Sequence, residues 1–243
     1  LCDEMHTVKD LRLLRVTTLE SPLQPYVAHY RMHKSPGIAP ELAAAFHADN
    51  QARIQAAIGE AEPLARQAYH AVLLDSMVHE FNAIRGVLGE PDRMDFSHIR
   101  DGGLTTVLRF GATECIVAWV DLPGIARYEL ELAFYAPNRR LTLSFPSPFL
   151  RSMPTLLHDE GGEAPSSRAW RNEQVVSYAE SFKEELVHFH ECITTGRTPI
   201  TSGEDALRDI ALCEAVVAAH LSHSAREKPT DPAASRSRPV GKR

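Results

Sequence analysis

The sequence predicts an α+β fold in which helices pack on a largely antiparallel β-sheet. Four strand-like segments follow one another in the middle of the chain, joined by short linkers that contain Gly, Pro or Asn. This spacing is typical of a β-meander. An Ala-rich helical region, residues 40–88, precedes these strands, and two amphipathic helices follow them.

The strand predictions rest on composition and alternation. Leu11–Leu19 is rich in Leu, Val and Thr and ends before Ser21-Pro22, so we expect a strand, with which an extended Tyr26–Met32 could pair. In the third meander strand apolar and charged residues alternate, which predicts one buried face and one that is wet or covered by a partner. The meander strands are Leu104–Phe110, Glu114–Val120, Ala126–Phe134 and Arg140–Phe145.

The helix predictions rest on periodicity and end signals. The Ala-rich region contains two helices, and Gly89 followed by Pro91 ends the second. After an expected loop, Glu160–Ala169, one helix carries an apolar stripe and ends at Gly196. The next begins with Ser202 and Asp205 at capping-box spacing. We expect both closing helices to lie on the sheet; the stripe of the first is Phe182, Leu186, Phe189 and Ile193.

Composition bounds the class of protein. The chain has 243 residues, with 44% hydrophobic and 24% charged residues, as in an ordinary globular protein. A net charge of -6 disfavours nucleic acid as a partner. The absence of a long apolar run disfavours a membrane span, so we expect a cytoplasmic protein. We predict one domain over residues 1–225 and a disordered basic tail over 226–243.

Two kinds of site have no sequence support. No GxGxxG or P-loop segment is present, so no part of this sequence is expected to hold a pyrophosphate. The cysteines show no metal-binding spacing and are expected to be free thiols, buried except for Cys2. His188 and His190 stand two residues apart, which places them on different faces of a helix. No carboxylate or cysteine is expected to complete a metal shell around that pair or around His220 and His223, which favours surface histidines over metal ligands. We therefore predict no metal site.

The strongest candidate site is the pair Asp75 and His79. Four residues apart on a helix, they should lie on one face about a turn apart. A carboxylate at that distance can orient an imidazole and favour its charged form, and histidine suits proton transfer near neutral pH. The core stripe predicted for this helix is Leu74, Val78, Phe81 and Leu88, which places the pair at its edge. The alternative is an exposed helix pair that contributes a few tenths of a kcal/mol.

Two segments carry a family resemblance. The run DSMVHEFNAIRGVLGEP from Asp75 to Pro91 resembles a helix of the Gfo/Idh/MocA oxidoreductases, which include glucose-fructose oxidoreductase and inositol dehydrogenase. The closing segment SFKEELVHFHECITTGRTPITSGEDALRDIALCEAVVAAH resembles the last helix pair of the same family. One departure is Asn82, where the family commonly has a second acidic residue.

The resemblance covers residues 10–225 and implies the C-terminal domain of that family: an open, mainly antiparallel sheet with helices on one face. It implies an NAD(P)-dependent oxidoreductase of a sugar, cyclitol or related polyol, in which His79 exchanges the proton of the hydroxyl and Asp75 assists. The NAD or NADP and a catalytic lysine would belong to an N-terminal Rossmann domain absent from this sequence, so the chain alone is expected to be inactive. The resemblance also implies a homo-oligomer through the open sheet face. The alternative is a non-catalytic binding or dimerisation module.

Overall fold

An open eight-stranded sheet forms the centre of the molecule in a computed structural model, which describes residues 8–31, 37–163, 165 and 168–227. The strand order is β2-β3-β4-β1-β5-β6-β7-β8. Every neighbouring pair is antiparallel except β1 and β4, which confirms the predicted sheet type. The strands are β1 Leu13–Glu20, β2 Arg93–Arg100, β3 Gly103–Phe110, β4 Thr113–Asp121, β5 Glu129–Tyr135, β6 Arg139–Phe145, β7 Thr155–Gly162 and β8 Ala169–Ser177.

The helices begin and end where their residues favour it. Pro40 and Pro63 occupy first-turn positions, which need no backbone donor. Gly89 and Gly196 end their helices at φ 80° and 73°, as the sequence predicts. The helices are α1 Gln24–Val27, α2 Pro40–Ile58, α3 Pro63–Ala68, α4 Val78–Leu88, α5 Ser181–Thr195 and α6 Gly203–Glu227, and a π-helical segment, Tyr69–Met77, joins α3 to α4.

The core lies between one face of the sheet and the helix that runs through α3, the π-helical segment and α4. Its innermost side chains on this helix are Leu73, Met77, Phe81 and Ile84, each no more than 1% exposed. Of the four residues predicted for this stripe only Phe81 is fully buried. The wider turn of the π-helical segment shifts the helical phase, and sequence periodicity assumes a regular α-helix.

Some elements differ from the sequence predictions. Tyr26 lies in α1 rather than in a strand, because its hydroxyl accepts a hydrogen bond from the Tyr128 backbone N–H at 2.6 Å and fixes a turn there. The end of that predicted segment, from Met32, lies outside the described residues. The expected loop Glu160–Ala169 begins inside β7 and ends at the first residue of β8. Strands β2, β7 and β8 were not predicted, and β8 carries no local signal, since nearly all of its residues are exposed and do not alternate.

Helix α5 does not bury its apolar stripe, so the prediction that it lies on the sheet is wrong. Its four stripe residues are 52% to 68% exposed. Helix α6 does pack on the sheet, where it contacts β2 and buries Cys213, Val216 and Val217. The exposed apolar stripe of α5 is typical of a surface that binds another protein.

The start of α6 supports a stability prediction. The Ser202 hydroxyl oxygen accepts the Asp205 backbone N–H at 3.3 Å, which confirms the predicted cap. We expect Ser202→Ala to lower the free energy of unfolding by about 1 kcal/mol, because that donor loses its protein partner. Urea denaturation measures the loss. Ser222→Ala on the same helix is the control, since Ser222 is exposed and caps nothing, and an equal effect of both would contradict the capping role.

The remaining predictions have mixed outcomes. Cys115, Cys192 and Cys213 are free and buried, as expected, whereas Cys2 lies outside the described residues. His220 is not a surface residue: it is 4% exposed, its Nδ1 accepts the Ile99 N–H, and its Nε2 lies 2.9 Å from Glu62. The predicted tail starts slightly too early, because α6 extends to Glu227, and from residue 228 it lies outside the described part.

Neither a metal-binding cluster nor a membrane-crossing helix is found among the residues that the structure describes. No group of three His, Cys, Asp or Glu side chains within the described ranges is arranged to hold a metal ion. Among the helices of the same ranges, none combines the length and the apolar character that a membrane span requires.

Candidate functional site

A cleft opens at the edge of the sheet where β1 ends, β5 begins and β6 ends. Because β5 is antiparallel to both neighbours, these three strand ends meet at the same edge. The cleft consists of two adjoining cavities of about 430 and 340 Å³ that share His79, Tyr128 and Leu130 among their walls. Cavities of roughly 300 to 1,000 Å³ are the usual size for small-molecule sites.

Asp75 and His79 both line this cleft. Asp75 belongs to the π-helical segment, and His79 is the second residue of α4. Both side chains are exposed at the mouth of the cleft. Asp75 lines the larger cavity, and His79 lines both cavities. No hydrogen bond or ion pair joins their two side chains. The structure therefore brings the predicted pair to one cavity but not into direct contact.

The π-helical segment sets the direction of these two residues. The Val78 backbone N–H bonds to the Leu73 carbonyl, five residues earlier, as in a π-turn. The Cys213 thiol of α6 also contacts that carbonyl, at 3.6 Å, so the wide turn is anchored against the neighbouring helix. Insertions of this kind in helices are frequent at functional sites.

Glu80 is the deepest polar group of the cleft, and sequence reasoning gave it no role. Its side chain is 2% exposed and lines the larger cavity beside His79. The buried Thr18 hydroxyl donates to its Oε1, while its Oε2 is buried and accepts no hydrogen bond from any described residue. A signal for this position existed: Glu80 follows Met77 by three residues and precedes Ile84 by four, which is core spacing.

Burial dominates the electrostatics of this carboxyl group. Loss of hydration raises the pKa of Glu80 from 4.5 to about 7; the Thr18 hydrogen bond opposes the shift, and the nearby Glu20 carboxylate adds to it. Burial also raises the pKa of Tyr128, to which the Glu80 and Glu20 charges contribute. Glu80 is therefore largely protonated below neutral pH and can act as a hydrogen-bond donor there.

This pKa predicts a pH-dependent contribution to stability. Between pH 4.5 and 7 the unfolded chain releases a proton that folded Glu80 retains, so the contribution falls as pH rises through this window. At about 1.4 kcal/mol per pH unit, the fall amounts to about 3 kcal/mol. Glu80→Gln removes the titration, and we expect it to gain stability relative to wild type by this amount over the window in denaturant melts. A constant difference between the two proteins would contradict the raised pKa.

The cleft is acidic and partly aromatic. Five carboxyl groups line its two cavities, whereas no lysine or arginine does so among the described residues. Its apolar walls include the rings of Phe149 and Phe182, whose centroids lie 5.8 Å apart. The carboxyl groups are those of Glu20, Asp75, Glu80, Glu180 and Glu185.

These walls do not fit the phosphates of a dinucleotide. Pyrophosphate sites use cationic side chains or the backbone N–H groups of a glycine-rich turn at a helix start. The described lining of the cleft contains no Lys, Arg or Gly. The first turn of α5 does line the smaller cavity, but the Glu180 and Glu185 carboxylates there would repel the phosphates.

A buried ion-pair network lies at the other end of α4. The Arg85 side chain is 4% exposed and donates to carboxylates of Glu90, Asp205 and Asp209. Asn82 donates to Asp205 and Asp209 at 2.9 Å each. This contact explains the departure noted in the sequence, because an acidic residue at position 82 would face two carboxylates without a hydrogen to donate.

The comparisons with known proteins find structural relatives only. No protein-family model matches the chain, and no curated protein matches it significantly. KijD10, a 3-ketoreductase from Actinomadura kijaniata solved with NADP and TDP-benzene, is 18% identical with a TM-score of 0.57. A protein from Desulfitobacterium hafniense, assigned as an NADPH-dependent oxidoreductase, is 12% identical with a TM-score of 0.61. The MviM dehydrogenase from Clostridium difficile is 10% identical with a TM-score of 0.51.

The shared fold covers nearly all of this chain and part of each relative. The match includes 89% to 90% of the chain but 57% of each of these three proteins, so the chain spans little more than half of their length. The matched region of these relatives is the same open, mixed sheet with its helices. The chain therefore has the fold of the C-terminal domain of Gfo/Idh/MocA-type oxidoreductases, which confirms the fold that the sequence resemblance implies.

Proposed function

We propose that this chain is the substrate-binding part of an NAD(P)-dependent oxidoreductase that acts on a hydroxyl group of a sugar, cyclitol or related polyol. The observation that carries this proposal is the cleft, in which His79 and Asp75 stand at the mouth and Glu80 at the bottom. A proton acceptor beside a pocket rich in hydrogen-bonding groups is what alcohol oxidation requires from the substrate side of a site.

His79 is proposed to exchange the proton. When an alcohol is oxidised, a hydride leaves the carbinol carbon and the hydroxyl proton must leave the oxygen; a neutral imidazole at the mouth can accept that proton. Asp75 lies one turn before His79 and makes no ion pair with any described residue. Its carboxylate can therefore turn toward the imidazolium and stabilise it after proton uptake.

The nicotinamide cofactor, NAD or NADP, would supply the hydride acceptor when bound. Because the cleft does not fit its phosphates, we propose that a separate nucleotide-binding domain holds it and that this chain alone is inactive. The apolar stripe of α5 supports a partner surface of this kind, since its four side chains are more than half exposed. A cytoplasmic location remains a prediction.

Self-association through the open sheet face is a further part of the proposal. That face carries cross-strand pairs of opposite charge, among them Arg15 with Glu131 and Arg140 with Glu160. Such a face is suited to a polar contact between two copies rather than to an apolar one.

Two observations test the proposal: the sequence encoded upstream of Leu1 and the activity of the full-length protein. A GxGxxG segment and a Glu-Lys-Pro lysine upstream of Leu1 are expected. The full-length protein, screened with neutral polyols and both cofactors, should then show nicotinamide absorbance changes at 340 nm, on the order of 1 turnover per second or faster. An upstream region without the fingerprint, and no hydride transfer, would favour the non-catalytic module instead.

A further inference from the structure

The carboxyl group of Glu80 has one satisfied and one unsatisfied oxygen. Thr18 holds Oε1 by a hydrogen bond, and Oε2 has no partner among the described residues although the side chain is 2% exposed. A buried polar atom without a partner destabilises the fold, because it has lost its hydrogen bonds to water without a replacement. Glu80 forms part of the wall of the larger cavity, so a small rotation of its carboxyl group would bring Oε2 within reach of a ligand there.

The charges around Glu80 restrict what that ligand can be. The carboxyl groups of Glu20 and Asp75 line the same cavity, and Glu180 and Glu185 line the adjoining one. With no described Lys or Arg in either lining, the cleft carries a negative potential that concentrates cations and repels anions. A phosphate or carboxylate placed there would be desolvated without a counter-charge.

The apolar walls restrict its shape. Phe149 and Phe182 stand together on one side of the larger cavity, and Tyr26 and Tyr128 also line it. Aromatic faces pack well against the C–H faces of a ring, while the polar groups at the bottom and the mouth reach its substituents.

We propose, building on the proposed function, that Glu80 is a substrate-contacting residue whose Oε2 hydrogen-bonds a hydroxyl or amine of a ring-shaped substrate carrying no phosphate or carboxylate. Glu80 fixes the orientation of this ring, and the ring completes the hydrogen bonding of Glu80. The carboxylates of Glu20, Asp75, Glu180 and Glu185 oppose the binding of a nucleotide or sugar phosphate.

The first test measures binding by NMR, with the Leu130 methyl groups of the 243-residue chain as reporters, because Leu130 lines both cavities. The probes are matched pairs: D-glucose and D-glucosamine against glucose 6-phosphate and glucuronate, and myo-inositol against its 1-phosphate. At least one neutral or amine probe should shift these signals, and its anionic counterpart should bind at least about tenfold more weakly. Equal or tighter binding of the anionic probes would overturn the inference, as would no shift with any probe.

The second test varies Glu80 itself at pH 6. Glu80→Leu replaces a buried carboxyl by an apolar side chain, so it should fold, but it should bind the same probe about tenfold more weakly because the hydrogen bond is lost. Glu80→Gln keeps a neutral donor and should stay within about threefold of wild type. Glu41→Gln, an exposed carboxylate on α2, is the control. Unchanged affinity in Glu80→Leu would show that Glu80 makes no substrate contact.

These outcomes separate the inference from the proposed function. Binding is measured without cofactor, whereas the proposed function is measured as hydride transfer. If neutral polyols bind as expected but the full-length protein transfers no hydride, the function fails and the Glu80 assignment stands. If hydride transfer occurs only with sugar phosphates, the reverse holds.

Discussion

Replacing His79 by alanine is expected to lower the turnover number of the proposed full-length oxidoreductase by about two orders of magnitude, which is the usual effect of losing a general acid-base catalyst. The physical reason is that the cleft offers no other imidazole, since His79 is the one histidine among the described residues that line it. Steady-state rates of polyol oxidation, followed through the nicotinamide absorbance, measure the change.

The matched control for this prediction is His47→Ala. His47 is an exposed histidine on α2, outside the cleft, so its loss should leave turnover unchanged. A KM that rises while kcat stays the same in His79→Ala would assign His79 to substrate binding rather than to proton transfer. If kcat and KM are both unchanged in His79→Ala, His79 takes no part in the mechanism.

Replacing Arg85 by methionine is expected to destabilise the fold by about 3 to 5 kcal/mol, because the buried Asp209 carboxylate then loses its counter-charge. The Arg85 and Asp209 side chains are each 4% exposed, and Arg85 also donates to Asp205 and Glu90 at 2.8 Å. The loss should appear as a lower midpoint in urea denaturation at neutral pH.

Two variants make the Arg85 prediction specific. Arg53→Met breaks an exposed pair with Asp49 on α2 and should leave the urea midpoint close to that of the wild type. Asp209→Asn in the Arg85→Met background should recover part of the loss, because it removes one stranded charge. A loss equal to that of Arg53→Met would show that the network contributes only as a surface pair does.

Strong local signals made much of the fold predictable. The meander strands alternate or are continuously apolar, Gly89 and Gly196 mark helix ends, and Ser202 caps α6. Elements without such signals were missed: β8 is exposed nearly throughout, and the short α1 depends on a long-range hydrogen bond from Tyr128 to Tyr26. No local pattern encodes contacts of that kind.

Part of the candidate site was also predictable from local sequence signals. Asp75 and His79 are recognisable by residue type and spacing. The role of Glu80 depends on Thr18 and Glu20, which approach it only when β1 is inserted into the sheet. The exposure of the α5 stripe was unpredictable because periodicity reveals that a face is apolar but not what covers it.

The position of β1 governs the order in which the molecule can be assembled. This first strand lies between two strands that come far later in the chain: Leu13 pairs with Glu114 on one side and with Tyr135 on the other. Closing such long loops slows folding, because chain entropy is lost before the new contacts compensate. During synthesis, β1 can therefore take its place in the sheet only after β5 has left the ribosome. The hydrogen bond from Thr18 to Glu80, and with it this wall of the pocket, forms only then.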